Sequence, residues 1–208
     1  MGTRTTELIR AAESGPQNET SINTAERDFP MEDDARNAFT ELRAKLLDLS
    51  SWSEKSGLSE YALFDDEGNE FRDGVIEQGR FIRILLHGSG KYDWVRVERI
   101  HETDDELVIS VRPTFDPTAR PRRTDVVSHF FASTAINNFC LAREGSTLRM
   151  CVIGIGEKQN TSDTGGIVES ARNAAVANLG SYLGVQSAEW KKFCNSFLDS
   201  VADGRRSD

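Results

Sequence analysis

The histidines are the residues of this sequence best suited to acid–base chemistry. No two of His87, His101 and His129 stand at a metal-ligand spacing with Cys or Asp nearby. His129 has Asp125 four residues before it and Ser128 beside it, which makes it the candidate general base. The alternative is a structural imidazole at the entrance of a strand. The sequence therefore predicts no metal site and no cofactor, and it favours a non-catalytic protein over an enzyme.

Two further patterns are candidates for binding phosphate or another anion, and only the first has suitable residues at a suitable spacing. Arg120, Arg122 and Arg123 are the one basic concentration in an acidic chain, so they could bind an anion or an acidic partner segment. The alternative for them is a solvated loop. Residues 88–91, Gly-Ser-Gly-Lys, lack the GxxxxGK[ST] spacing of a phosphate-binding loop. We predict a hairpin loop there.

A hydrophobic hairpin is predicted over residues 130–157, with Glu144 and Gly145 as its two-residue loop. Counting outwards from that loop places three pairs opposite one another: Leu141 and Leu148, Phe139 and Met150, and Asn137 and Val152. Because side chains alternate along a strand, these pairs share the core face. Asn137 is the polar group on that face, and with Phe139 and Met150 it forms the candidate ligand-binding site. The alternative is an Asn that pairs with a backbone group at a bulge.

Cys140, Cys151 and Cys194 are odd in number, and each lies in an apolar pattern. They are predicted to be small buried hydrophobic residues rather than a disulfide framework or a metal site. In the predicted register Cys140 and Cys151 are diagonal neighbours on the other face of the hairpin, where a redox pair is the alternative.

Hydrophobic periodicity predicts the elements that position these residues. Residues 34–49 have the pattern of an amphipathic helix. A meander of antiparallel strands follows, over residues 61–64, 70–72, 80–86, 92–100 and 106–112. Asp93, Arg96 and Arg112 from this meander could meet on one face as an ion-pair ladder, which is more often a stabilising surface feature than a site. Prolines make residues 113–125 an irregular link, and two helices over residues 167–182 and 190–201 follow the hairpin.

The charge balance limits the classes of partner. The 208 residues include 34 acidic and 25 basic side chains, which gives a net charge of -9. This excess of acid argues against a nucleic acid and against an anionic membrane surface as partner. No apolar run approaches the roughly 18 residues of a spanning helix, and residues 1–10 lack the apolar core of a secretory signal. We therefore expect a cytoplasmic location, and the Arg-rich acidic composition suits a bacterial source.

Three short segments resemble recurring segments of an uncharacterised family of bacterial proteins of similar length: Ser128-His129-Phe130-Phe131, Ala171-Arg172-Asn173-Ala174 and Glu189-Trp190-Lys191-Lys192. The resemblance covers about residues 34–201 and implies no activity. The chain is also similar to START and polyketide-cyclase-like helix-grip proteins, in which a curved antiparallel sheet wraps a C-terminal helix around a ligand cavity. It departs from them in having a helix before the first strand and two helices at the end.

We expect an α+β fold with about six antiparallel strands in a curved sheet or partly closed barrel, an N-terminal helix and a C-terminal helix pair. Residues 1–30 are too polar to form a core and are expected to be flexible, with at most a short helix over residues 5–12. Residues 31–203 are expected to form a single domain, and residues 204–208 a tail.

The favoured function is a non-catalytic module that binds a small apolar or amphipathic ligand between the sheet and the helices. The first alternative is a protein-interaction or self-associating module that forms homo-oligomers. The second is a hydrolase or cyclase that uses His129.

Overall fold

The computed structural model describes residues 3–56, 59–71, 73–86, 92–158 and 187–201. The helices in this part of the chain are α1 (Arg4–Ser14), α2 (Glu32–Leu47), α3 (Ser50–Ser56) and α4 (187–199). The strands are β1 (Thr20–Asp28), β2 (Ser59–Phe64), β3 (Glu70–Phe71), β4 (Phe81–Leu86), β5 (Tyr92–Glu102), β6 (Glu106–Pro113), β7 (Ile136–Glu144) and β8 (Thr147–Ile155).

The strands form one antiparallel sheet in the order β1-β8-β7-β6-β5-β4-β2-β3. Strands β4 to β8 are neighbours in chain order, as in a meander. The predicted meander is not continuous over its first strands, because β4 pairs with β2 rather than with β3. The sheet is curved but not closed, because β1 and β3 are its two edges. The expected α+β class with a curved antiparallel sheet is therefore confirmed, with eight strands rather than about six.

Helix α1 and strand β1 lie within residues 1–30, where we expected a flexible segment with at most a short helix. Strand β1 pairs with β8 along its whole length, from Thr20 opposite Ile155 to Asp28 opposite Thr147. Only Asn23 and Ala25 of β1 are buried, so the strand has almost no hydrophobic pattern. It forms because the edge of β8 offers unpaired backbone groups, which any extended segment can satisfy.

The hairpin of β7 and β8 turns one residue later than predicted, at Gly145 and Ser146. Gly145 has a φ of 60°, which favours glycine at this position of the turn. Asn137 is consequently opposite Gly154, two residues beyond the predicted partner Val152. A shift of two residues preserves the faces, so Asn137 and Phe139 still share one face of the sheet.

The two faces of the sheet have different covers. One face, which we call the helical face, packs against α2, α3 and α4. Its sheet residues include Val95, Val111, Phe139 and Met150. The opposite face is covered in part by α1, whose Leu8 and Ala12 pack over Cys140 and Cys151, and in part by the link 113–135, whose Phe115 ring lies 5.4 Å from Phe81.

Helices α2 and α4 confirm two of the helices predicted from periodicity. The other C-terminal helix, predicted over residues 167–182, lies outside the described residues. None of the helices in the described ranges combines the length and the hydrophobicity needed to span a bilayer.

Candidate functional site

A cavity lies between the helical face and helices α3 and α4; we call it the sheet–helix cavity. It offers about 40 Å³ to the centres of water-sized molecules, whereas one water needs roughly 10–15 Å³ by the same measure. Among the described residues, its apolar lining consists of Trp52, Ile82, Ile84, Val95, Val111, Phe139 and Trp190. The polar lining from the same part of the chain consists of Ser59, Tyr61, Asp93, His129, Asn137 and Glu189. The cavity thus has apolar walls and a cluster of polar groups.

Strand register and helix packing bring these residues together. Asp93 is opposite Ile84, and Asn137 is opposite Val111, so neighbouring strands present alternate residues to the same space. The aromatic walls come from three elements. The Phe139 ring on β7 lies 4.3 Å from Trp52 of α3 and 5.4 Å from Trp190 of α4, measured between ring centroids.

Asn137 carries a buried acceptor at this cavity. The residue is 7% exposed, and its Oδ1 atom has no hydrogen-bond partner among the described residues. Leaving a buried acceptor unpaired costs about 1–3 kcal/mol. Gly154, the residue opposite, has no side chain to offer a partner. The fold therefore keeps an unpaired acceptor beside the cavity.

His129 is buried and held by the backbone. Its Nδ1 atom accepts a hydrogen bond from the Phe131 N–H at 2.8 Å. Burial lowers the pKa of His129, and the nearby carboxylate of Asp93 opposes that shift without cancelling it. In the neutral ring with Nδ1 as acceptor, the proton is on Nε2. His129 is therefore arranged to donate a hydrogen bond through Nε2.

Asp93 rather than Asp125 is the carboxylate that acts on His129. Asp125 is exposed and pairs with Arg123 at 3.1 Å. The predicted ladder of Asp93 with Arg96 and Arg112 is wrong. The two arginines lie opposite each other on the face that α1 and the link cover, and Asp93, at an odd spacing from Arg96, lies on the helical face.

Both carboxylates of the cavity accept hydrogen bonds from the protein. The Phe130 N–H donates to Asp93 Oδ1 at 3.1 Å. The Ser59 hydroxyl donates to Oε1 of the buried Glu189 at 2.6 Å. These bonds fix both carboxylates at the cavity wall.

Of the three predicted ligand-binding residues, Asn137 and Phe139 line the cavity. Met150 is fully buried in the core, opposite Leu141 and Ala25, and is not among the lining residues. The prediction for Met150 depended on the register that placed it opposite Phe139, and Val152 takes that place.

The three predicted anion-binding arginines hold loops together. Arg120 donates to the Glu67 carbonyl at 2.9 Å, and Arg122 donates to the Asp66 carbonyl. Both bonds fasten the link 113–135 to the turn between β2 and β3. Since Arg123 pairs with Asp125, an anion would have to compete with existing partners at all three side chains. Anion binding here stays a prediction.

The remaining candidates are separate from the cavity. His87 and the loop 88–91 lie outside the described residues. His101 Nε2 lies 3.4 Å from the Glu106 carboxylate, near the start of α1. Among the described residues, no three His, Cys, Asp or Glu side chains are grouped to hold a metal ion.

The cysteines are buried free thiols. Cys140 and Cys151 are directly opposite each other rather than diagonal, again because the hairpin turns one residue later. Burial raises the pKa of both thiols, and it raises that of Cys194 to about 12. Thiolates are the reactive form of cysteine, so these side chains are structural.

The sequence analysis did not place five of the lining residues in this site: Asp93, Ser59, Glu189, Trp52 and Trp190. A local pattern was present for Asp93, which alternates with Val95 and Val97 and so belongs on the inward face. Ser59 and Glu189 have no such pattern, because their hydrogen bond joins elements 130 residues apart.

No family model matches the chain, and no curated protein matches it. Three solved structures show limited likeness to it. The hypothetical protein jhp0584 from Helicobacter pylori is 11% identical over 87% of this chain and 93% of its own, with a TM-score of 0.48. TTHA0849 from Thermus thermophilus is 12% identical over 86% of this chain and 95% of its own, with a TM-score of 0.45. Ms6760 from Mycobacterium smegmatis is 13% identical over 91% of this chain and 94% of its own, with a TM-score of 0.43. These names carry no activity, so the helix-grip analogy stays a prediction and the comparisons assign no function.

Proposed function

We propose that this protein is a binding module for a small amphipathic molecule that occupies the sheet–helix cavity. The observation that carries the proposal is the unpaired Oδ1 of Asn137, a residue that lines a cavity with both apolar walls and polar groups. Buried polar groups are almost always paired. A ligand that donates a hydrogen bond to this atom would remove the cost of leaving it unpaired.

The lining defines two ends of such a ligand. Its apolar body would contact the rings of Trp52, Phe139 and Trp190, where burial of apolar surface is worth about 25 cal/mol per Å². Its polar end would carry at least one hydrogen-bond donor for Asn137. Pockets with apolar walls and a few fixed polar groups are the usual form of small-molecule sites.

The geometry supports binding better than catalysis. A general base needs an unprotonated nitrogen within reach of the substrate. In His129 the Nδ1 atom already accepts the Phe131 N–H, and the neutral ring carries its proton on Nε2. His129 is therefore arranged as a hydrogen-bond donor rather than as a general base, and binding needs no such base.

Native mass spectrometry of freshly purified protein, compared with the denatured mass, tests the proposal. We expect an additional non-covalent mass that is lost on denaturation. The variant Val111→Phe should lose it, because Val111 lines the cavity and a larger ring there would fill the space. Val75→Phe, the same substitution at an exposed position, should retain it. A wild-type chain that carries no small molecule and forms multimers would favour the self-associating alternative instead.

A further inference from the structure

A β-bulge in strand β5 places three arginines on one face of the sheet; we call Arg96, Arg99 and Arg112 the arginine cluster. Arg96 is directly opposite Arg112 of β6. In a regular strand Arg99 would face away from Arg96, because the two positions are three residues apart. The register shifts between Val97 and Arg99, and the extra residue returns the Arg99 side chain to the face of Arg96. Ser110, the residue opposite Arg99, is two positions from Arg112 in β6 and therefore on the same face.

The arginine cluster carries positive charge that the protein does not neutralise. Like charges directly opposite on neighbouring strands are destabilising. Within the described part of the chain, the only carboxylate that comes within 4.0 Å of these guanidinium groups is that of Glu98, at this distance from Nε of Arg112. The side chains of Arg96 and Arg99 have no ion pair with a described residue. Three guanidinium groups against one carboxylate leave an excess of two positive charges, in a chain that is acidic as a whole.

Two of the guanidinium groups are held in place by backbone carbonyls. Arg96 Nε donates to the Gly79 carbonyl at 3.3 Å, and Arg112 Nη1 donates to the Ser133 carbonyl at 2.8 Å. Each arginine has five N–H donors, so these bonds leave donors of both side chains available. Arg96 and Arg99 are exposed, and the Arg112 side chain is 34% exposed. A ligand can therefore reach the cluster from the solvent.

We propose that the arginine cluster is a binding site for a phosphoryl dianion, carried by a small phosphate monoester or present as free phosphate. The planar guanidinium fork matches the oxygens of a phosphate group and binds them in pairs. A phosphate monoester carries a charge of about −1.5 to −2 at pH 7, which matches the excess positive charge of the cluster. The cluster is on the face of the sheet opposite the sheet–helix cavity, so the inference is independent of the proposed function.

Three probes test the charge preference on the wild-type protein: inorganic phosphate, phenyl phosphate and benzenesulfonate. The last two have nearly the same shape, but the sulfonate carries a single negative charge. Each probe is titrated by NMR at low ionic strength, following the backbone amide signals of the arginine cluster. The amide of Arg36 is an internal control, because this exposed residue belongs to α2, which packs on the other face of the sheet. We expect both phosphates to shift the three signals and to bind roughly ten-fold more tightly than benzenesulfonate.

Single substitutions test which residues bind the anion. Arg96→Gln and Arg99→Gln should each weaken the binding of phenyl phosphate by about three- to ten-fold, as expected for the loss of one charge at an exposed site. Glu98→Gln should strengthen it by about two- to five-fold, because it removes the carboxylate that repels the anion. Arg36→Gln removes the same charge from an exposed position of α2 and should leave binding unchanged. All four positions are exposed, so the variants should unfold at the temperature of the wild type.

The titrations either support or overturn the phosphoryl site. Inorganic phosphate that binds as tightly as phenyl phosphate would support it with free phosphate as the ligand, and tighter binding of phenyl phosphate would support it with an ester. If no probe shifts the signals of the arginine cluster, or if benzenesulfonate binds as tightly as phenyl phosphate, the site is overturned. Equal losses of affinity in Arg36→Gln and Arg99→Gln would show a general charge effect and overturn the assigned residues. None of these results changes the occupancy of the sheet–helix cavity, which native mass spectrometry measures.

Discussion

Asn137 and Asn138 are adjacent in β7 and buried on opposite faces of the sheet, yet only Asn138 has its side-chain oxygen paired within the described part of the chain. Asn138 Oδ1 accepts from the Ser110 hydroxyl at 2.7 Å, and its Nδ2 donates to the Ile153 carbonyl at 3.2 Å. The two residues thus differ in what their amides do. Asn138 joins three strands, whereas Asn137 lines the cavity with its side-chain oxygen unpaired.

The same substitution should therefore have opposite effects at these neighbours. Asn137→Leu should raise the free energy of unfolding by about 1 kcal/mol, because it removes an unpaired buried acceptor. Asn138→Leu should lower it by about 2 kcal/mol, because it leaves Ser110 and the Ile153 carbonyl without a partner. Urea denaturation of both variants measures the difference. Equal destabilisation by both would show that Asn137 is satisfied in solution.

Glu157 should destabilise the protein at neutral pH. Its carboxylate lies against Gly154, where a Cβ atom would overlap with Oε1 of Glu157. Burial raises the pKa of Glu157 above its ordinary 4.5, against the lowering effect of a hydrogen bond from Ser21. As the pH rises above 4.5, the unfolded chain loses this proton before the folded chain does, so the stability contributed by Glu157 falls.

Glu157→Gln should therefore be more stable than wild type at pH 7 and similar to it below about pH 4.5, the ordinary pKa of the carboxyl. Thermal unfolding across this range measures the effect. Glu144→Gln, at an exposed position of the same hairpin, is the control and should follow wild type. A Glu157→Gln curve parallel to that of wild type at every pH would contradict the burial of a raised-pKa carboxyl.

His129 should contribute to stability in the opposite direction with pH. Burial lowers its pKa below the ordinary 6.5, so the unfolded chain binds a proton here before the folded chain does. This contribution is complete above pH 6.5 and is lost as the pH falls below that value. His129→Asn keeps an acceptor for the Phe131 N–H and should remove this pH dependence. An imidazole NMR signal that titrates at or above 6.5 in the folded protein would refute the prediction.

The Glu106 carboxylate should hold the start of α1 in place. It accepts from the Arg4 N–H at 3.0 Å and from the Thr5 N–H at 2.6 Å, which are unsatisfied donors of the first helical turn. Glu106→Gln weakens both bonds and should cost about 1 kcal/mol. Hydrogen exchange should speed up in α1 and not in β6. Glu13→Gln, at an exposed position near the other end of α1, should leave exchange unchanged.

Gly68 should be required for the link 113–135 to pack on the turn between β2 and β3. A Cβ at Gly68 would lie 2.7 Å from the Pro117 carbonyl oxygen. Gly145 also has a positive φ, but a Cβ there would meet only Glu32 Oε1, at 3.7 Å.

Both Gly68→Ala and Gly145→Ala should cost about 1–2 kcal/mol of backbone strain. Gly68→Ala should cost a further 1–2 kcal/mol, approximately, from the close contact. Denaturant unfolding of the pair isolates the contact, since the strain is common to both. Equal losses would mean that the link does not pack against this turn in solution.

For the β7–β8 hairpin and for α2 and α4, the sequence by itself determined the kind of element and which residues share a face. The period-two pattern of residues 136–155 placed Asn137 and Phe139 on the same face of the sheet, even though the predicted turn was one residue early. A turn placed one residue too early shifts the cross-strand partner of each residue by two positions. Each side chain therefore stays on the same face of the sheet. The helical periods of α2 and α4 were equally clear, because the amphipathic pattern of a helix is set by residues three and four apart.

Only the tertiary structure decided that β1 forms and which residues line the cavity. Strand β1 is held by backbone bonds to β8, and such bonds leave no pattern in side-chain types. The cavity is lined by Asp93, His129 and Glu189, which are far apart in the sequence. They line the same space because of the strand order, the path of the link that contains His129 and the packing of α4 on the sheet. Local periodicity reports which face of an element is buried, whereas a site depends on which elements become neighbours, and that is set by the packing of the whole chain.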